Sequence, residues 1–105
     1  MIPGCEVASG RVCLIGVQPV MARGAMKLAG VYRQRGYFPV ITSAVDGVHS
    51  PTSLHYRGLA LDFRTRTVPA DERQALRDAI AKALGPDFDV VLESDHLHVE
   101  WDPKT

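Results

Sequence analysis

Two short stretches hold the residues of this chain that could do chemistry together. One is Ser53-Leu54-His55-Tyr56-Arg57-Gly58-Leu59-Ala60-Leu61-Asp62, the other Asp95-His96-Leu97-His98. The first starts in a turn-rich segment and runs into an apolar, alternating one that reads as a strand. That places His55 at the mouth of the strand and Asp62 inside it or at its end. An imidazole and a carboxylate converging on one point suit a zinc ion, which takes nitrogen and oxygen ligands at about 2 Å. The second stretch can supply a third ligand. Three protein ligands with one open position is the arrangement of a catalytic zinc rather than of a structural one.

The spacing is also a family pattern. Ser-x-His-x-x-Gly-x-Ala-x-Asp, followed further on by an acidic residue three before a histidine, resembles the D-Ala-D-Ala metallopeptidases. That family includes zinc D,D-carboxypeptidases and dipeptidases and the L-alanyl-D-glutamate endopeptidases of phage endolysins, built on a hedgehog-like fold. Ser53, His55, Gly58, Ala60 and Asp62 match the first half of the pattern, and Asp95 and His98 match the second. The resemblance implies zinc held by His55, Asp62 and His98, with Asp95 as the catalytic carboxylate. Asp95 would take the proton of the attacking water and pass it to the leaving amine. His96 lies two residues from His98 and so on the same face of a strand; in the family such a histidine assists the transition state without being a ligand. Glu93 and Glu100 compete with Asp95 for the role of base, Glu100 from farther along the strand. Ser53 and Arg57 are the expected substrate-binding residues, with Arg64 and His49 further from the pattern. Many family members also carry an arginine before the motif, and here Ile41 to Gly47 contains none. Electrophilic help beyond the metal then falls to His96 or Arg57.

Bulk properties narrow the surroundings. The 105 residues include 12 Lys+Arg and 12 Asp+Glu, without a basic run. That speaks against a nucleic-acid surface. No apolar run is long enough for a membrane span. Met1-Ile2-Pro3-Gly4-Cys5-Glu6 has neither the basic start nor the apolar stretch of a signal peptide. The expected setting is therefore a phage-encoded protein, held in the host cytoplasm until released to the wall or carried by a virion. Cys5 and Cys13 lack the close spacing of a zinc knuckle and read as free thiols.

The elements that must position these residues follow from pattern and punctuation. Residues 1 to about 18 read as a loose arm with one strand-like piece, Val12 to Val17. Pro19 opens a helix whose apolar stripe holds Val20, Met21, Met26, Leu28, Val31 and Tyr32, with Gly36 as its left-handed cap. Tyr37 to Ser43 reads as a strand, Ala44 to Thr52 as a polar connection, and Leu59 to Phe63 as a strand with Ala60 and Asp62 on one face. Pro69 begins a second helix to about Leu84, burying Leu76, Ile80, Ala83 and Leu84. Phe88 to Leu92 and His96 to Trp101 form a hairpin. The expected architecture is one α+β domain over residues 1–105: a small antiparallel sheet carrying the zinc site, with two main helices packed on it.

Together these readings predict a monomeric zinc peptidase acting on peptidoglycan stem peptides, foremost an L-alanyl-D-glutamate endopeptidase of the endolysin type. A D-Ala-D-Ala carboxypeptidase is the near alternative. A zinc-bound domain that recognises cell wall or a protein partner without cutting is the alternative of another class.

Overall fold

The computed structural model of the chain describes residues 2–46 and 53–103. Five strands form one sheet: β1 (Glu6–Val7), β2 (Val40–Ser43), β3 (Ala60–Arg64), β4 (Phe88–Leu92) and β5 (His96–Trp101), in the order β1-β2-β3-β5-β4. Two helices, α1 (Pro19–Gln34) and α2 (Arg73–Leu84), pack on each other and on the sheet, α1 against β3 and β5 and α2 against β4. Among the described residues, no helix is long and apolar enough to cross a membrane.

The α+β class stands, but the sheet is mixed rather than antiparallel. β1 runs parallel to β2, with Glu6 opposite Val40 and Val7 opposite Ile41. The cause is topological: the chain returns from β1 to β2 through α1, and a crossover of that kind delivers a parallel neighbour. The arm also differs from its reading. Val12 to Val17 is not a strand; Val12 N–H bonds to Ser9 O and Val17 N–H to Leu14 O, and Gly16 sits at φ 92°. These turns break the extension, while Val12, Leu14 and Val17 still pack on the core.

Boundaries shift where a backbone hydrogen bond is already committed. Tyr37 N–H bonds back to Tyr32 O across Gly36 at φ 84°, the expected left-handed cap, so β2 begins only after Pro39. Leu59 N–H bonds to Leu54 O, which delays β3 to Ala60. Past Pro69 the chain makes a short 3-10 turn, Ala70–Glu72, before α2 starts at Arg73.

The core lies between the helices and one face of the sheet. Leu61, Phe63, Leu97 and Val99 from β3 and β5 meet Met21, Leu28 and Tyr32 from α1 and Leu76 and Ile80 from α2, all essentially inaccessible. Burying one such large apolar side chain contributes about 1.5–3 kcal/mol. Met26 and Ala83 are exposed, contrary to the stripes expected of them. The Tyr32 hydroxyl crosses the core to donate to Arg64 O at 2.9 Å, so this deep phenol keeps a partner. Because Leu61 and Phe63 face the helices, alternation turns Ala60, Asp62 and Arg64 to the other face of the sheet, and His96, His98 and Glu100 stand opposite them in register.

Candidate metal centre

His55 is delivered by a 3-10 turn, Leu54–Arg57, fixed at both ends. At its start Ser53 Oγ accepts from His55 N–H at 3.2 Å. At its end Gly58 adopts φ 71°, and its N–H bonds to His55 O. A Cβ at Gly58 would lie 1.9 Å from Gly16 O, so only glycine lets the arm close here, where Gln18 N–H bonds to Gly58 O. The His55 ring is 3% exposed, and its Nδ1 donates to Ala44 O at 2.8 Å. A carbonyl only accepts, so Nδ1 carries a proton and Nε2 is the nitrogen turned to the centre.

Asp62 and His98 face each other as paired residues of β3 and β5. A register shift between Ile41 and Ser43 sets Ser43, rather than Thr42, opposite Asp62. The next residue, Ala44, then presents its carbonyl to His55. Asp46 Oδ1 steadies that turn, accepting from Ala44 N–H at 2.9 Å and Cys13 N–H at 2.8 Å.

Three atoms converge. His55 Nε2 lies 3.3 Å from both Asp62 Oδ1 and His98 Nδ1, and His98 Nδ1 lies 2.9 Å from Asp62 Oδ1. Tetrahedral ligands held at about 2.0 Å stand about 3.3 Å apart, so the triangle already has the size a small divalent ion needs. The donors are two imidazole nitrogens and one carboxylate oxygen, and the outer nitrogen of each ring is engaged: His55 by Ala44 O, His98 by Glu100 Oε1 at 2.8 Å. Engaging the outer nitrogen fixes ring orientation and tautomer in metal-binding histidines. His55, Asp62 and His98 therefore form a possible metal-binding site.

The electrostatics agree. Burial works against the Asp62 charge, but its bonds with His55 and His98 and the nearby His96 outweigh it and hold the carboxyl far below the usual carboxylate range. For His98 the Asp62 bond, opposed by burial and aided by Glu100, pushes the imidazolium up to about 8. Without a metal, a proton on His98 takes the place of positive charge between two carboxylates.

The other expected residues separate. His96 stands at the rim, its side chain 31% exposed, with Nε2 3.7 Å from Asp62 Oδ1. Asp95 is on the outer side of that ring: its Oδ1 accepts from His96 Nδ1 at 2.6 Å. Ser53 Oγ caps the turn that carries His55, and Arg57 is exposed beyond it. His49 lies outside the described residues. Glu93 is exposed at the hairpin. Glu100, weighed in the sequence only as a rival base, is instead the group that orients His98; the alternation His96, His98, Glu100 on one face is the signal that places it there. A second grouping, Asp89, Glu100 and Asp102, is all carboxylate, and its Glu100 is the residue already engaged by His98. Neither a protein-family model nor a curated protein matches the chain.

Proposed function

We propose that the chain is a zinc-dependent peptidase that hydrolyses peptidoglycan stem peptides, as an L-alanyl-D-glutamate endopeptidase of the phage endolysin type. The observation that carries this reading is the convergence of His55 Nε2, Asp62 Oδ1 and His98 Nδ1, with a partner behind each ring. Two nitrogens and one oxygen are a donor set that zinc accepts, and three ligands are the number that leaves a position for water. The substrate class rests on the resemblance of Ser53 to Asp62 and Asp95 to His98 to the metallopeptidase pattern.

When bound, the metal supplies Lewis acidity, which brings the pKa of a bound water to about 7 and polarises a carbonyl. The chain's own residues supply the rest. His96 Nε2 faces the centre and accepts a proton from the attacking water; Asp95, on Nδ1, stabilises the imidazolium that results. The same Nε2 then gives the proton to the leaving amine, which completes the acid–base exchange. Asp95 thus serves the base function through His96 in this geometry. Glu100 keeps His98 Nδ1 turned to the centre, and the Ala44 carbonyl does the same for His55 Nε2.

Metal analysis of the purified protein, beside His55→Ala, Asp62→Ala and His98→Ala, tests the centre. One zinc per chain in the parent and loss in the variants are expected; full occupancy in all three variants would refute it. Incubating purified sacculi with the parent and identifying new termini by mass spectrometry tests the reaction. A parent that holds zinc yet releases no new amine from any stem peptide would be a recognition domain instead.

A further inference from the structure

A cavity of about 360 Å³ lies on the sheet beside the metal centre, walled by Glu6, Tyr37, Phe38, Val40, Arg64 and Thr67. Three of these occupy adjacent strands: Glu6 is paired with Val40, and Val40 lies beside Ile41, the partner of Phe63, next to Arg64. Arg64 is in turn the register partner of His96, whose Nε2 approaches Asp62. Ile41 and Phe63 are buried in the core, so Val40 and Arg64 turn to the face that carries Asp62. Arg64, the wall nearest the centre, is therefore two residues along β3 from Asp62, about 7 Å at strand spacing, and Val40 and Glu6 lie one and two strands farther across the sheet.

Its chemistry is split. Among the described residues, neither Glu6 nor Arg64 has an ion-pair partner within 4 Å, and no other side-chain interaction engages their charged ends. The apolar Val40 lies between them in the strand order, and the Phe38 ring, 65% exposed and 5.9 Å from the Arg33 guanidinium, lines the same cavity. The Tyr37 hydroxyl is turned away to Glu72 at 2.7 Å. A carboxylate and a guanidinium held apart over an apolar floor match a ligand that is apolar along its stem and zwitterionic at its end.

We infer that this cavity binds the free amino-acid head of a diamino-dicarboxylic side chain, its carboxylate on Arg64, its ammonium on Glu6 and its methylenes along Val40 and Phe38. The inference rests on the stem-peptide reading and adds a specificity to it. An extended peptide advances about 3.3–3.6 Å per residue, so the side chain of the second residue from the scissile bond reaches Arg64 and can extend across Val40 toward Glu6. In a stem peptide cut after L-alanine, that residue is the diamino acid. Lysine at the same place keeps the ammonium and lacks the carboxylate.

Two synthetic stem peptides, one with meso-diaminopimelate and one with lysine at the third position, test this with the zinc-loaded full chain. The parent is expected to favour the diaminopimelate peptide in kcat/KM by about 10- to 100-fold, the scale of one hydrogen-bonded charge. Arg64→Gln should bring that ratio near one, and Glu6→Gln should lower kcat/KM for both peptides while leaving their ratio. Both side chains sit at the surface or its edge, and the Tyr32 bond to the Arg64 carbonyl does not need the guanidinium, so folding is retained. An equal rate on both peptides in the parent, or an unchanged ratio in Arg64→Gln, overturns the assignment. If the parent cuts neither peptide, the stem-peptide activity fails, and amide shifts on NMR titration decide the cavity alone. Stronger shifts at Glu6, Val40 and Arg64 with the diaminopimelate peptide than with the lysine peptide support it; equal or absent shifts refute it.

Discussion

The two stretches that build the centre are held by different means. His55 is fixed by backbone: a serine cap, a glycine that no other residue replaces, and the Ala44 carbonyl behind its ring. His98 and His96 are fixed by carboxylates: Glu100 and Asp62 on one ring, Asp95 on the other. The backbone-held side is buried and the carboxylate-held side opens to solvent, His55 being 3% exposed against 31% for the His96 side chain. A ligand held by backbone leans on groups that carry no titratable charge. One held by carboxylates can be tuned, and can move a proton. The division suits a centre in which one side anchors and the other reacts.

The largest effect expected from breaking this contrast falls on the reacting side. His96→Gln removes the ring that, among the described residues, approaches the centre beside its three candidate ligands, and on the proposed function should lower stem-peptide turnover by roughly two to four orders of magnitude, the range of a lost general acid–base group. Asp95→Asn keeps the size of the side chain and should fall by a similar or smaller factor. If the two residues act as one unit, the double variant should be little worse than His96→Gln alone. Zinc content should stay at one per chain in all three. Multiplying losses in the double variant would show that Asp95 and His96 act separately, and Asp95 would then be the base in its own right.

A smaller effect is expected behind His98. Glu100→Gln keeps a group able to accept from Nε2 but removes its charge, and zinc affinity should drop by about 10- to 100-fold, as for other partners of ligating histidines. Competition with a chelator of known affinity measures it. Ser53→Ala, on the anchored side, should change affinity less, because Ala44 still holds the ring. A larger loss from Ser53→Ala than from Glu100→Gln would invert the contrast.

Much of this centre was legible in the sequence because period and punctuation carry it. Strict alternation grouped Ala60 with Asp62 on one side of their strand and His96, His98 and Glu100 on one side of theirs, and the hairpin Phe88–Leu92 with His96–Trp101 has the bounds read from its pattern. Both helices begin or end near the expected Pro and Gly residues. What stayed hidden depends on contacts distant in sequence. No local pattern tells which nitrogen of His55 faces inward, since that follows from the carbonyl of Ala44 after a bulge in another strand. Nor does spacing tell that Asp95 lies against the His96 ring, because a turn residue can aim its side chain either way. β1 was missed because two residues, Glu6–Val7, carry no alternation, and its place is set by the return path of α1.

The gentlest way to sharpen the contrast is pH. In the metal-free chain His98 has its pKa raised from 6.5 to about 8 by Asp62 and Glu100. A raised pKa means that the charged form is favoured by folding, so this contribution is complete below 6.5 and disappears as pH climbs through about 8. Asp62 is shifted the opposite way, and its contribution, present above the ordinary carboxylate range, is lost only in strong acid; it stays constant in this window. The metal-free protein should therefore lose several degrees of Tm between pH 6.5 and 8.5, about 4–8 °C for each kcal/mol in a domain of this size. With zinc the sign reverses. A ligating imidazole must give up its proton to bind, so affinity, and with it the stabilisation from binding the folded state, grows over the same range. Thermal unfolding in excess chelator and in excess zinc, run side by side at four pH values, should give two curves that diverge as pH rises. Parallel curves would mean that His98 neither holds the proton in the free chain nor meets the metal in the loaded one.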